Sequence, residues 1–238
     1  MNLRLHRGKG AHFMTDLPTT HSAVPQPRLA ASVILLRDAP AGLEAFVQHR
    51  VSTMDFAAGM VVFPGGRVDS ADGSGWDYPA ELLQRHASEW NQSSVGANPA
   101  EAVRNAGTIL TAAIREVQEE AGLTIEAGHL RPWANWITPT DMPKRFDTFF
   151  YIAKPTAGAT PQHQTTEAWQ SLWMPVAEIL AAEAAGTLKL MPPTYYLLKE
   201  LAGFGTVDQV WTAEHSVVPV LAPVGSMAAF LKERENRR

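Results

Sequence analysis

The stretch REVQEEAGL, Arg115–Leu123, sets Glu116, Glu119 and Glu120 directly after an arginine and closes on Gly122. On an α-helix, residues three and four apart share a face. Three carboxylates would then lie about 4–6 Å apart, and each pair would repel by roughly 3 kcal/mol before screening. Two readings are open: a solvated acidic helix face, or a place where a hard divalent cation converts repulsion into coordination. Three features bear on the choice. The helix has a broad apolar face formed by Val103, Ile109, Leu110, Ala113, Ile114 and Val117. The cluster sits at the helix C-terminus, where the macrodipole disfavours anions. A strand running into Pro64-Gly65-Gly66 lies upstream and offers backbone carbonyls.

Working outward, Asn98-Pro99-Ala100-Glu101 reads as the helix start, with Asn as N-cap and Pro at the first helical position. The helix should run to Ala121 and stop at a left-handed Gly122. Strands are expected on both sides: Ala31–Arg37, Leu43–Arg50 and Gly59–Phe63 before it; Leu123–Ile125, Trp133–Ile137, Arg145–Ala153 and Ala168–Trp173 after it. Asp38 to Gly42 is a turn, and Pro64-Gly65-Gly66 a sharp backbone turn. Helices near Val176–Ala185 and Pro193–Leu201, an extended Val217–Leu221 and a helix from Ser226 complete the chain. This alternation argues α/β or α+β in one domain. Residues 1–28 are expected to be a flexible tail and 29–238 a single domain. Within it, the Gly- and Ser-flanked residues 73–97 are an insertion containing a helix over 79–90. Its Trp76, Tyr78 and Trp90 suit either a lid or a homodimer contact.

Composition narrows the chemistry. The chain has 238 residues, 45% of them hydrophobic, enough for a buried core. A net charge of −4 gives no global attraction to nucleic acid or anionic membrane. With no cysteine, thiolate metal sites and cysteine nucleophiles are excluded. Any metal must be held by oxygen or imidazole. No apolar run reaches the roughly 18 residues of a membrane span, and no secretory signal pattern opens the chain. A cytoplasmic location is expected.

The residues Arg115, Glu116, Val117, Glu119, Glu120, Gly122 and Leu123 resemble the second half of the Nudix box, G-x5-E-x7-R-E-U-x-E-E-x-G-U, where U is bulky and apolar. The first half begins at Gly66 in FPGGRVDSAD, but Asp72 stands where the box has Glu. Residues 73–114 replace the short gap. This split form is similar to the Nudix branch related to the mammalian peroxisomal coenzyme A diphosphatase, which has FPGG followed by V-D-x-x-D and a long insertion. Here that motif is Val68-Asp69-Ser70-Ala71-Asp72. WITPTDMPKRFDTFFYIA, LWMP and MPPTYYLL are also similar to that branch.

The resemblance implies a Nudix fold, a mixed β-sheet sandwiched between α-helices (α/β/α). It also implies Mg²⁺ or Mn²⁺ and hydrolysis of a nucleoside diphosphate linked to another moiety. Coenzyme A or acyl-CoA leads; ADP-ribose, a dinucleotide, a nucleotide sugar or a non-catalytic nucleotide sensor are the alternatives. By position, Glu116, Glu119 and Glu120 become metal ligands, with the Gly66 carbonyl a further one. Arg115 orients them, with Asp72 and Asp69 behind it. The base is a box glutamate or Glu167 from a distal loop. Arg50 sits where a pre-box arginine is found, although Phe56 stands near the place of the second. Lys144 and Arg145 suit phosphate, and either could equally belong to a charge pair with Asp147 at the sheet edge. Trp133, Trp136 and Trp169 could stack on a base or pack in the core.

Overall fold

The computed structural model describes residues 24–51, 57–155, 159–164 and 166–235. Most of the expected tail and Phe56 lie outside them. The chain forms an eight-stranded mixed sheet in the order β3-β2-β1-β6-β5-β8, with β4 on β1 and β7 on β2. The strands are β1 (Arg28–Ala39), β2 (Gly42–Arg50), β3 (Val61–Val62), β4 (Gly65–Arg67), β5 (Leu130–Ile137), β6 (Phe146–Ala153), β7 (Ala168–Pro175) and β8 (Val220–Leu221). The β1–β6 and β5–β8 pairs are parallel and the others antiparallel.

β1 is buried on both faces, which explains its continuous apolar run. Ala31, Val33 and Leu35 pack with α1 (Ala80–Glu89) and α2 (Ala102–Ala121). Ile34 and Leu36 pack with α3 (Val176–Ala184), α4 (Pro192–Leu201) and α5 (Val207–Thr212). Two cores thus flank one sheet, and the expected α/β/α layering stands. The last helix, α6 (Ser226–Glu235), follows β8. Among the described residues, no helix is long and apolar enough to cross a membrane.

Several local expectations are corrected. α2 begins at Ala102, one turn later than expected. The 3₁₀ turn Ser94–Ala97 ends at Asn98, whose side chain accepts from Ala100 N–H in a turn of its own. Val103, expected on the apolar face, is exposed. Leu123 and Ile125 are buried but form no strand; they pack on the α2 core without a sheet partner. Pro64-Gly65-Gly66 leads straight into β4, held by Val33 N–H donating to the Pro64 carbonyl. The insertion's aromatics turn inward: Trp90 is fully buried, edge-on to Phe149 and Tyr151, and Trp76 stacks on Tyr78 against the core.

Candidate active site

α2 carries the glutamates. Gly122 ends it in the left-handed conformation at φ 63°, which a glycine adopts without strain. Gln162 and Gln164 N–H groups donate to the Ala121 and Glu120 carbonyls, closing the helix end. β4 is laid beside it by pairing with β1, and this brings Gly65 and Gly66 against the carboxylates. Gly65 N–H donates to Glu120 Oε2 at 2.9 Å. A Cβ on Gly66 would overlap the Glu116 carboxylate, so only glycine permits that approach.

Arg115 is the hub. Its Nε and Nη2 donate to the two oxygens of Asp72 at 3.0 and 2.9 Å, a bidentate fork. Nη2 also donates to the Arg67 carbonyl. Nη1 reaches Glu116 at 2.8 Å and Glu119 at 3.1 Å. Asp72 is 2% exposed and also accepts from Asp69 N–H. The 3₁₀ turn Ser70–Gly73 presents it, so the shorter side chain still meets the arginine across the insertion. Hydrogen bonding to Asp72 is the main cause holding the Arg115 pKa above its ordinary value.

The carboxylates differ in environment. Burial pushes Glu120 up to about 7, with the Gly65 hydrogen bond opposing. Burial also raises Glu116, against its bond to Arg115. Glu119 is 57% exposed. Glu167, 50% exposed, accepts from Arg50 Nη2 at 2.9 Å. Arg50 Nε is buried without a hydrogen-bond partner.

These groups line one cavity of about 470 Å³. It gathers Gly66, Asp69, Arg115, the three α2 glutamates, Arg50 and Glu167, all expected site residues. Asp72 stands behind Arg115. Lys144 and Arg145 are not brought to the cavity. Arg145 is buried and donates to the Thr138, Pro139 and Pro25 carbonyls, so its guanidinium serves the backbone. Asp147 is buried against Asn135 and Ser94, in no pair with Arg145. Of the tryptophans, Trp136 lines the cavity. Trp133 is in the core, stacked on His215, and Trp169 is 62% exposed beside His49. The sequence reading missed Arg67, which lines the cavity. A cation directly after a glycine pair was the available signal.

The donor set is entirely hard oxygen: Glu116 is paired with Arg115, whereas the buried Glu120 carboxylate is held by the Gly65 N–H. That chemistry suits a divalent cation of the Mg²⁺ or Mn²⁺ kind. Among the described residues no three carboxylate or imidazole groups converge as a ligand set, since Arg115 stands between Glu116 and Glu119.

Comparisons with known proteins bear on family and fold. The NUDIX domain model matches residues 80–194. A putative nudix hydrolase 7 of Caenorhabditis elegans is 29% identical over 74% of this chain and 60% of its own length. The acyl-coenzyme A diphosphatase NUDT19 of Gallus gallus is 25% identical over 66% of this chain and 40% of its own length. The chain thus spans 60% and 40% of the lengths of these two curated relatives. In structure, a NUDIX hydrolase from Alicyclobacillus acidocaldarius superposes with a TM-score of 0.64 at 24% identity, covering 82% of this chain and 99% of that one. This last likeness concerns the fold.

Proposed function

From the NUDIX domain match over residues 80–194, we propose that this chain is a Nudix hydrolase: a metal-dependent, cytoplasmic diphosphatase acting on a nucleoside diphosphate linked to another moiety, preferentially coenzyme A or its acyl derivatives. The observation that carries this reading is the Asp72–Arg115 fork. It ties Asp72 to α2 across the insertion, where Glu120 and Glu116 lie against Gly65 and Gly66. The coenzyme A preference is supported by the distant similarity to an acyl-coenzyme A diphosphatase.

Glu116, Glu119, Glu120 and the Gly66 carbonyl would hold Mg²⁺ or Mn²⁺. Such an ion, when bound, neutralises diphosphate charge and lowers the pKa of a coordinated water. The protein supplies the rest. Arg115, fixed by Asp72, orients Glu116 and Glu119. Glu167 takes the proton from the attacking water as general base, because it is the cavity glutamate that α2 does not carry. Arg50 steadies Glu167, and its unpartnered Nε offers a donor to a phosphate oxygen.

The test is product analysis by chromatography and mass spectrometry. Purified protein with Mg²⁺ or Mn²⁺ is offered coenzyme A, ADP-ribose, NADH and UDP-glucose together. The expected products are 4′-phosphopantetheine and 3′,5′-ADP. Cleavage of another member alone would keep the mechanism and move the substrate. No cleavage of any would overturn the enzymatic reading.

A further inference from the structure

Four residues of the cavity wall stand in one cross-strand row. Arg67 on β4 pairs with Ala30 on β1, Ala30 with Thr148 on β6, and Thr148 with Trp136 on β5. Residues in register share a face of the sheet, and all four line the cavity. Three interstrand steps separate the ends, so Arg67 and Trp136 lie about 14 Å apart across the sheet. The ends differ chemically. Arg67 is exposed, its carbonyl accepts from Arg115, and its guanidinium makes no ion pair among the described residues. Trp136 stacks on Tyr196, and Phe150, Met191 and Met227 are further apolar residues of the lining, which we read as one lobe with Trp136. Between the ends, Ala30 and Thr148 are small and leave a trough.

The lining cations are Arg50, Arg67 and Arg115, all at the glutamate end; no Lys or Arg lines the Trp136 end among the described residues. A phosphate buried in that lobe would lack a counter-charge, which is costly. An uncharged chain would instead bury apolar surface there. A cavity of this size takes one arm of a coenzyme-sized molecule, not both. The exposed Glu119 and Glu167 side chains mark the side open to solvent.

We propose that this row is a substrate trough: the diphosphate lies at the Arg67 end, and the non-nucleotide arm runs over Ala30 and Thr148 to end on Trp136 and Met227. The nucleoside with any further phosphate stays toward solvent. Acyl thioesters are therefore preferred over free coenzyme A, with Trp136 and Met227 determining specificity. This assignment rests on the diphosphatase reading and deepens it.

The test measures kcat/KM for coenzyme A and its acetyl, butanoyl and hexanoyl thioesters, in the wild type, Met227→Trp and Ala30→Leu. Calorimetry on the full chain compares binding of 4′-phosphopantetheine, its S-hexanoyl form and 3′,5′-ADP. In the wild type, kcat/KM should rise about threefold per added methylene, through KM with kcat unchanged. Either substitution should flatten that rise. Met227 is only partly buried, at the start of α6, and takes the larger ring if Ala30→Leu does not fold. Equal kcat/KM across the thioesters, with coenzyme A cleaved, overturns the trough and leaves the diphosphatase reading standing. If no thioester is cleaved, calorimetry decides. Hexanoyl-phosphopantetheine binding at least tenfold tighter than phosphopantetheine, an advantage lost in Met227→Trp, supports the trough without the activity; equal affinities overturn it.

Discussion

At the scale of single residues, the site depends on how buried carboxylates are compensated. Glu119→Gln or Glu120→Gln removes a charged donor while preserving shape. Either is expected to lower kcat by two orders of magnitude or more, with an unchanged circular dichroism spectrum; wild-type turnover would sink the ligand assignment. Glu167→Gln should lower kcat by about 10²-fold or more if that carboxylate is the base, and a severalfold effect would return the role to α2. A pH dependence also follows. Glu120 has a folded-state pKa of about 7 against an ordinary 4.5, so the folded state binds more protons between those values. The contribution of Glu120 to the stability of the metal-free protein therefore falls as pH rises across that window. Added Mg²⁺, which favours the ionised carboxylate, should stabilise more at the upper end than the lower. Melting curves across the window with and without Mg²⁺ check both signs. The buried His86, held down to about 4 by burial, acts in the opposite sense over part of the window, so the wild type is compared with Glu120→Gln; an identical pH dependence of the metal-free midpoint in the two would contradict the buried-glutamate account.

At the scale of elements, α2 and the insertion form one unit. Trp90 is fully buried between Phe149 and Tyr151. Trp90→Ala should cost about 3–5 kcal/mol, read by chemical denaturation, whereas a lid or dimer aromatic would cost far less in the monomer. The helix and strand types were legible because each has a strong period or a continuous apolar run. β1, β2, β5, β6, α3 and α4 lie where Ala31–Arg37, Leu43–Arg50, Trp133–Ile137, Arg145–Ala153, Val176–Ala185 and Pro193–Leu201 anticipated them. The start of α2 was not legible, because a preceding 3₁₀ turn took Asn98. Leu123–Ile125 has strand composition but no neighbouring strand. The inward turn of Trp76, Tyr78 and Trp90 was hidden too, since an aromatic's direction depends on what the fold places opposite it.

At the scale of the whole molecule, the C-terminal segment completes the cavity. β8 pairs in parallel with Trp136 and Ile137 of β5. The Ala222 N–H then donates to the Ile137 carbonyl, and Gly225 N–H to Asp141. Far along α6, Arg234 pairs with the buried Glu183 of α3 and lies over the Tyr195 and Phe230 rings. Breaking such a pair leaves a buried charge without a partner. Arg234→Met should therefore destabilise by about 3 kcal/mol. Hydrogen exchange should show α6 opening before the sheet; unchanged protection in α6 would refute its anchoring by this pair.

The sequence alone determined the α2 carboxylate face, the left-handed stop at Gly122, the glycine pair and a class that is α/β or α+β. Each of these follows from local spacing and backbone freedom. Only the tertiary structure decided that Asp72 meets Arg115 across the insertion, that Arg145 serves backbone carbonyls, and that Arg50 joins Glu167. The same holds for the row from Arg67 to Trp136. Those contacts link residues far apart in the chain through strand register and sheet order, which no local pattern encodes.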